Sequence, residues 1–330
     1  MYKAFYSLGE RPFDLTPNPR YLFLTAKHRE ALSNLQYGIA ARRGVTLLIG
    51  EAGTGKTTLV RAVLESEQQK NTHCVYLSNP TLTRAELVEF LARAFELSER
   101  ATSSKTTLLF ELERVLRERQ SQGLVTALLV DEAQVLPPEL LEEVRLLANI
   151  ETDTEKLLPV VLAGQPQLAE RLNHPDFRQL KQRVALRCEL KPLDSKESAA
   201  YIAERIRIAG GESVKLFTRE AIELIHQCAR GIPRTISVIC DNALVSGFAA
   251  DQRPVGYDLV HEVCQDFDLN PPPKAARMSG RSTLANPKPA VPVHVRSERP
   301  NVDPAEEKPM AVGPQSLFRS FARRRRFSFF

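Results

Sequence analysis

Residues 45–58 read Val45-Thr46-Leu47-Leu48-Ile49-Gly50-Glu51-Ala52-Gly53-Thr54-Gly55-Lys56-Thr57-Thr58. Val45–Ile49 is a short apolar run of strand length. Gly50 to Thr57 match GxxxxGK[ST] in full, and a helical pattern opens at Thr58 and runs to about Glu67. Strand, glycine-rich turn and helix in that order are the context the motif requires. The chemistry explains the spacing. Glycines at 50, 53 and 55 let the backbone curl with its N–H groups inward, an anion nest formed by Gly50, Glu51, Ala52, Gly53, Thr54, Gly55, Lys56, Thr57 and Thr58. The helix adds its N-terminal dipole. Lys56 offers a point charge to the β- and γ-phosphates of ATP, and Thr57 a hydroxyl to Mg²⁺.

Working outward, Ala127-Leu128-Leu129-Val130-Asp131-Glu132 is an apolar strand ending in two carboxylates. Asp131 fits the Mg²⁺ shell, partly through water, and Glu132 fits the general base that orients the attacking water. Gln165 follows the apolar run Pro159–Ala163. Ligands of parallel sheets sit at the carboxyl ends of strands, so Gln165 is expected to reach the water or the γ-phosphate. Arg178 and Arg183 lie in FRQLKQRVALRCEL, read as a helix running into the last strand. Either is a candidate arginine finger for a neighbouring subunit's nucleotide. Arg234, in Gly231-Ile232-Pro233-Arg234, opens a helical pattern and is a candidate phosphate contact from a second domain.

Cys74–Leu77, Ala127–Val130, Pro159–Ala163 and Leu186–Leu190 join Val45–Ile49 as candidate buried strands. Helical patterns separate them, among them Leu108/Leu112/Val115/Leu116 and Leu140/Leu141/Val144/Leu147. This alternation predicts an α/β fold with a parallel sheet covered on both faces. After Leu190 the strand signals stop. Ala199/Ile202/Ile206, Ile222/Ile225/Ala229 and Ile236/Ile239/Ala243 have helical spacing. The expected organisation is a nucleotide-binding core over 1–190, a small all-helical lid over 191–268 and a tail over 269–330.

The chain carries 45 Lys and Arg against 40 Asp and Glu, a net of +5. That charge is unevenly placed. Residues 271–330 hold 12 basic and 4 acidic residues and 10 of the 22 prolines, which leaves residues 1–270 at −3. Pro-rich sequence of low hydrophobicity cannot bury enough surface to offset chain entropy, so the tail reads as disordered. The acidic balance of the folded part argues against a general nucleic-acid binder. No apolar run approaches the ~18 residues of a membrane-spanning helix, and the N-terminus has no signal-peptide pattern. Five scattered cysteines form no metal spacing and read as small buried residues in a reducing compartment.

Taken together, these parts resemble the AAA+ ATPases. The opening PFDLTPNPRYLFLTAKHREALSNLQYGI, with GEAGTGKTT, LLVDEAQ, LAGQPQLAERL and FRQLKQR, is similar to the ExeA-type (general secretion pathway protein A) family over roughly residues 2–268. The resemblance implies a P-loop AAA+ core followed by a helical lid, ATP hydrolysis with Mg²⁺, and a segment near Leu22–His28 packed by adenine. It implies a homo-oligomer with an arginine finger in trans, and an envelope assembly protein of a secretion, pilus or polysaccharide-export machine as client. The location implied is the cytoplasm, peripheral at the inner membrane. Long members continue into a membrane helix and a peptidoglycan-binding region, which this sequence is expected to lack.

The end of the chain, 316–330, interleaves Arg323-Arg324-Arg325-Arg326 with phenylalanines. An anionic membrane surface suits that composition, with Arg at headgroups and Phe at the interface. Nucleic acid, a protein partner or no partner at all are the alternatives. At the level of the whole chain, the alternatives to an envelope ATPase are a DNA-binding AAA+ regulator, such as a transposition targeting ATPase, and a non-hydrolysing ATP switch.

Overall fold

The computed structural model describes residues 2–269, apart from 17, 18, 71 and 79 and the side chain of Pro19. The Pro-rich tail and the Arg/Phe end considered above lie outside the described residues.

Five strands form one parallel sheet: β1 (Val45–Gly50), β2 (His73–Leu77), β3 (Thr126–Val130), β4 (Val160–Gly164) and β5 (Val184–Leu190), in the order β2-β3-β4-β1-β5. All five expected strands are present. The three central ones, β3, β4 and β1, are buried throughout, which is why they read as continuous apolar runs rather than alternating ones.

Alternation survives as a division between two faces. Val45, Leu47, Ile49, Leu128, Val130, Val160 and Leu162 point to one core, packed under helices Arg84–Ala94, Lys105–Ser121, Pro138–Leu147 and Pro166–Leu172. Leu48, Ala127, Leu129, Val161 and Ala163 point to the other, under helices Ala26–Ala40 and Lys56–Gln68. The two-residue period of a strand produces this split directly.

Between β5 and Leu269 the described residues are largely helical, with the main helices at Ser195–Ile208, Arg219–Ala229, Pro233–Ala249 and Tyr257–Asp266. Side-chain caps set two of the starts. Asp194 and Glu197 form a reciprocal capping box, and Thr218 caps the next helix. Ile202, Ile206, Ile225, Ile236, Ile239 and Ala243 close a third core.

Residues 2–13, grouped with 1–190 in the sequence reading, pack with this third core. Tyr2, Tyr6, Leu8 and Phe13 are buried there. The Tyr2 hydroxyl donates to Asp241 at 2.5 Å, and Arg205 donates to the carbonyls of Pro12 (2.5 Å) and Asp14 (3.0 Å). The aromatic side chains find apolar partners on the helices, while both faces of the sheet are already covered.

Among the described residues no helix is long and apolar enough to cross a membrane. All five cysteines are free thiols; four are buried, and Cys74 is half-buried.

Candidate nucleotide site

The strand order decides the site. β3, β4 and β1 are neighbours, so the segments leaving their carboxyl ends converge: Asp131 and Glu132 after β3, Gln165 after β4, and Gly50–Thr57 at the end of β1. This is where parallel α/β sheets place ligands.

Gly53 (φ 81°) and Gly55 (φ 100°) carry the left-handed backbone that only glycine adopts freely. The buried Thr54 hydroxyl donates to the Glu51 carbonyl at 2.8 Å and holds the loop closed. Helix Lys56–Gln68 begins at Gly55, so Lys56 and Thr57 sit in its first turn, where free N–H groups and the dipole favour anions.

Lys56 is only 4% exposed, and its ammonium donates to the Glu51 carbonyl at 2.9 Å. Burial lowers its pKa below the usual lysine range, while the nearby Glu132 and Asp131 carboxylates oppose that shift. The Thr57 hydroxyl donates to Asp131 Oδ2 at 2.6 Å, and the same oxygen accepts from the Tyr76 hydroxyl at 3.3 Å. Burial, and then the charge of Asp131, push the Tyr76 phenol up.

A hydroxyl and a carboxylate in contact are hard oxygen donors of the kind Mg²⁺ takes from protein, leaving its other positions to phosphates and water. Among the described residues no cluster of three His, Cys, Asp or Glu side chains could hold a metal by itself. The donor set therefore fits Mg²⁺ bound together with a nucleotide rather than in an all-protein cage.

Glu132 stands in the left-handed region (φ 50°, ψ 35°), sparsely occupied by non-glycine residues. Its carboxylate accepts from Gln134 Nε2 at 2.6 Å, and Gln165 Nε2 lies 3.5 Å from the same oxygen. Gln134 is the residue that motif reading passed over. It stands two places after Glu132 in the stretch LLVDEAQ, which was the available signal.

A cavity of about 320 Å³ opens beside the loop. Gly53–Thr58 and Glu132 form one wall. The helical region contributes Tyr201, Arg205 and Arg234, and the N-terminal segment contributes Tyr21, Leu22, Phe23 and His28. Leu22, Phe23 and His28 of the segment expected near adenine thus line the same cavity as the phosphate loop. His28 is buried, with Nδ1 2.8 Å from the Thr25 hydroxyl and Nε2 3.2 Å from the Thr54 carbonyl. Arg205 stacks over Tyr21 and Tyr201, at 4.8 and 5.5 Å. These wall residues come from segments far apart in sequence.

Arg234 N–H donates to the Gly53 carbonyl at 3.3 Å, which sets the start of helix Pro233–Ala249 on the phosphate loop. Arg178 and Arg183 are exposed and do not line the cavity. Arg183 sits at the amino end of the sheet, where its carbonyl accepts from Val45 N–H at 3.2 Å. The loop lies at the other end of β1, roughly 16 Å away at ~3.3 Å per residue. Arg183 therefore cannot serve the nucleotide site of its own chain.

Fold and site together define a P-loop ATPase of the AAA type. A family model described as an AAA domain matches residues 39–172. The chain is 43% identical over 256 residues to general secretion pathway protein A of Aeromonas hydrophila, an alignment covering 77% of this chain and 46% of that protein. Over that alignment the chain is similar to the ExeA-type family, and it spans about half the length of the curated relative it matches.

Among solved structures, the ORC2 protein of Aeropyrum pernix in its ADPNP-ADP complexes aligns with a TM-score of 0.56 at 17% identity, over 78% of this chain and 71% of that one. Cdc6p from Pyrobaculum aerophilum gives a TM-score of 0.58 at 15% identity, over 77% and 70%. These likenesses concern the fold.

Proposed function

We propose that this protein is a Mg²⁺-dependent ATPase, converting ATP and water to ADP and phosphate, that acts as a homo-oligomer in assembling an envelope secretion machine. The observation that carries the reading is the contact of the Thr57 hydroxyl with Asp131 at 2.6 Å, beside the buried Lys56 and the Glu132 carboxylate.

The backbone N–H groups of Gly53–Thr57 cradle the phosphate oxygens, and Lys56 neutralises charge between the β- and γ-phosphates. Thr57 and, partly through water, Asp131 would hold Mg²⁺, which would supply charge neutralisation when bound. Glu132 accepts a proton from the attacking water, and Gln165 orients the γ-phosphate or that water. Arg234 meets the phosphates from the helical side. An arginine of the neighbouring subunit, Arg183 or Arg178, stabilises the charge of the transition state. The exposure of both arginines, and the distance of Arg183 from its own loop, support action in trans.

The secretion role rests on the 43% identity to general secretion pathway protein A. Its test has two parts. Steady-state phosphate release with ATP should require Mg²⁺ and vanish in Lys56→Ala; no release at any protein concentration would turn the reading toward a non-hydrolysing switch. A pull-down with Glu132→Gln protein in ATP should enrich envelope assembly proteins over wild type, and recovery of transposase components instead would favour the DNA-regulator alternative.

A further inference from the structure

The Gln134 side chain makes two contacts of opposite sense. Its Nε2 donates to Glu132 Oε2 at 2.6 Å, and its Oε1 accepts from the backbone N–H of Gln165 at 3.0 Å. The partners dictate this orientation, because a carboxylate only accepts and a backbone N–H only donates. The Gln134 carbonyl in turn accepts from Arg171 Nη1 at 2.6 Å, which fixes the turn that carries it. The fit against β4 is close. A Cβ on Gly164 would stand 3.0 Å from Gln134 Oε1 and 2.7 Å from Leu168 Cδ2, so a side chain at 164 would push the amide away.

Packing does not require this amide. Ala133 and Leu136, on either side, supply the buried contacts of the turn, while Gln134 is half-buried and faces Glu132 and Gln165. A glutamate side chain has several rotamers, and holding one costs conformational entropy. An amide anchored on the β4 backbone and bonded to the carboxylate meets that cost in advance.

We propose that Gln134 is a positioning residue for hydrolysis: it holds the Glu132 carboxylate and the Gln165 backbone in a single arrangement at the ends of β3 and β4. The inference rests on Glu132 being the general base. Gln134 acts through Glu132 and touches no substrate.

Two variants separate its contacts. Gln134→Met keeps the length and removes both hydrogen bonds. Gln134→Glu keeps an acceptor for the Gln165 N–H but sets a like charge against Glu132. Misplacing a reacting group by about 1 Å costs on the order of 100-fold, so both variants should lower kcat about ten- to a hundred-fold, with KM for ATP and binding of a fluorescent ATP analogue within about two-fold of wild type. Gln134→Glu should lose at least as much as Gln134→Met. In a Glu132→Gln background, Gln134→Met should cause no further loss of single-turnover hydrolysis, because interacting residues are non-additive. Wild-type or faster kcat in Gln134→Met would overturn the proposal. So would a loss confined to KM, or a full additional loss in the double variant. Glu132→Gln measured alongside distinguishes the two levels. If it hydrolyses ATP normally, the base assignment falls and this inference with it; if it is inactive while Gln134→Met is normal, only the role of Gln134 falls.

Discussion

The amide nitrogen of Arg234 lies 3.3 Å from the carbonyl oxygen of Gly53, so the first turn of helix Pro233–Ala249 rests on the phosphate loop itself. The glycine makes the contact possible. A Cβ at position 53 would stand 2.8 Å from Arg234 Cβ and 2.9 Å from Ile232 Cγ2, on a backbone at φ 81°. Gly53→Ala is therefore expected to lose nucleotide-analogue binding. It should also destabilise the fold by more than the ~1 kcal/mol by which Gly→Ala helps at compatible sites. Isothermal titration and thermal melts check both; unchanged binding would mean that the loop and helix can separate at no cost.

Glu132→Gln removes the proposed base and keeps the shape. Analogue affinity should stay near wild type, while phosphate release falls by about 10²–10⁴-fold, the usual contribution of general base catalysis. Full activity in this variant would remove Glu132 from the proton transfer.

Arg183→Ala should abolish hydrolysis, by about 10³-fold or more, without weakening ATP binding, because the Arg183 backbone stands at the far end of β1 from its own loop. Mixing it with Lys56→Ala protein should restore turnover, since each partner supplies what the other lacks. Unaffected turnover in Arg183→Ala would leave Arg178 as the finger to test.

Lys56, proposed to meet the phosphates, is expected to cost stability. Burial lowers its pKa, so the unfolded chain binds its proton more tightly than the folded one does. At neutral pH the folded protein thus carries a poorly solvated ammonium. The associated penalty fades only as pH rises through the lowered pKa toward the ordinary lysine value. Lys56→Met should lose ATP binding and yet raise the melting midpoint at pH 7, by about 2–4 °C for each kcal/mol relieved. The gain should shrink at alkaline pH. A lower midpoint would show that the bond from Lys56 to the Glu51 carbonyl outweighs the burial.

The phosphate loop, the acidic strand end and the five strands were legible because each is a local pattern. Glycine spacing, apolar runs and helical periods are written within a dozen residues. The paired contacts were not. Gln134 and Gln165 are 31 positions apart, and Arg205 and Pro12 are 193 apart. No spacing rule relates residues whose proximity depends on how separate elements pack.

By itself, the sequence determined that this chain has a phosphate-binding loop on a parallel sheet, with a carboxylate pair and a polar residue at strand ends. It also carried the likeness to the ExeA-type family in its opening segment. Only the tertiary structure decided which strands are neighbours, and hence that β3, β4 and β1 deliver those residues to one place. It also decided that residues 2–13 pack on the helices and that Arg183 stands at the end of β1 remote from its own loop. The physical reason lies in the two kinds of information. Backbone conformation and burial are dictated by side chains close in sequence, whereas sheet order and helix docking come from surfaces that meet only once the chain has collapsed.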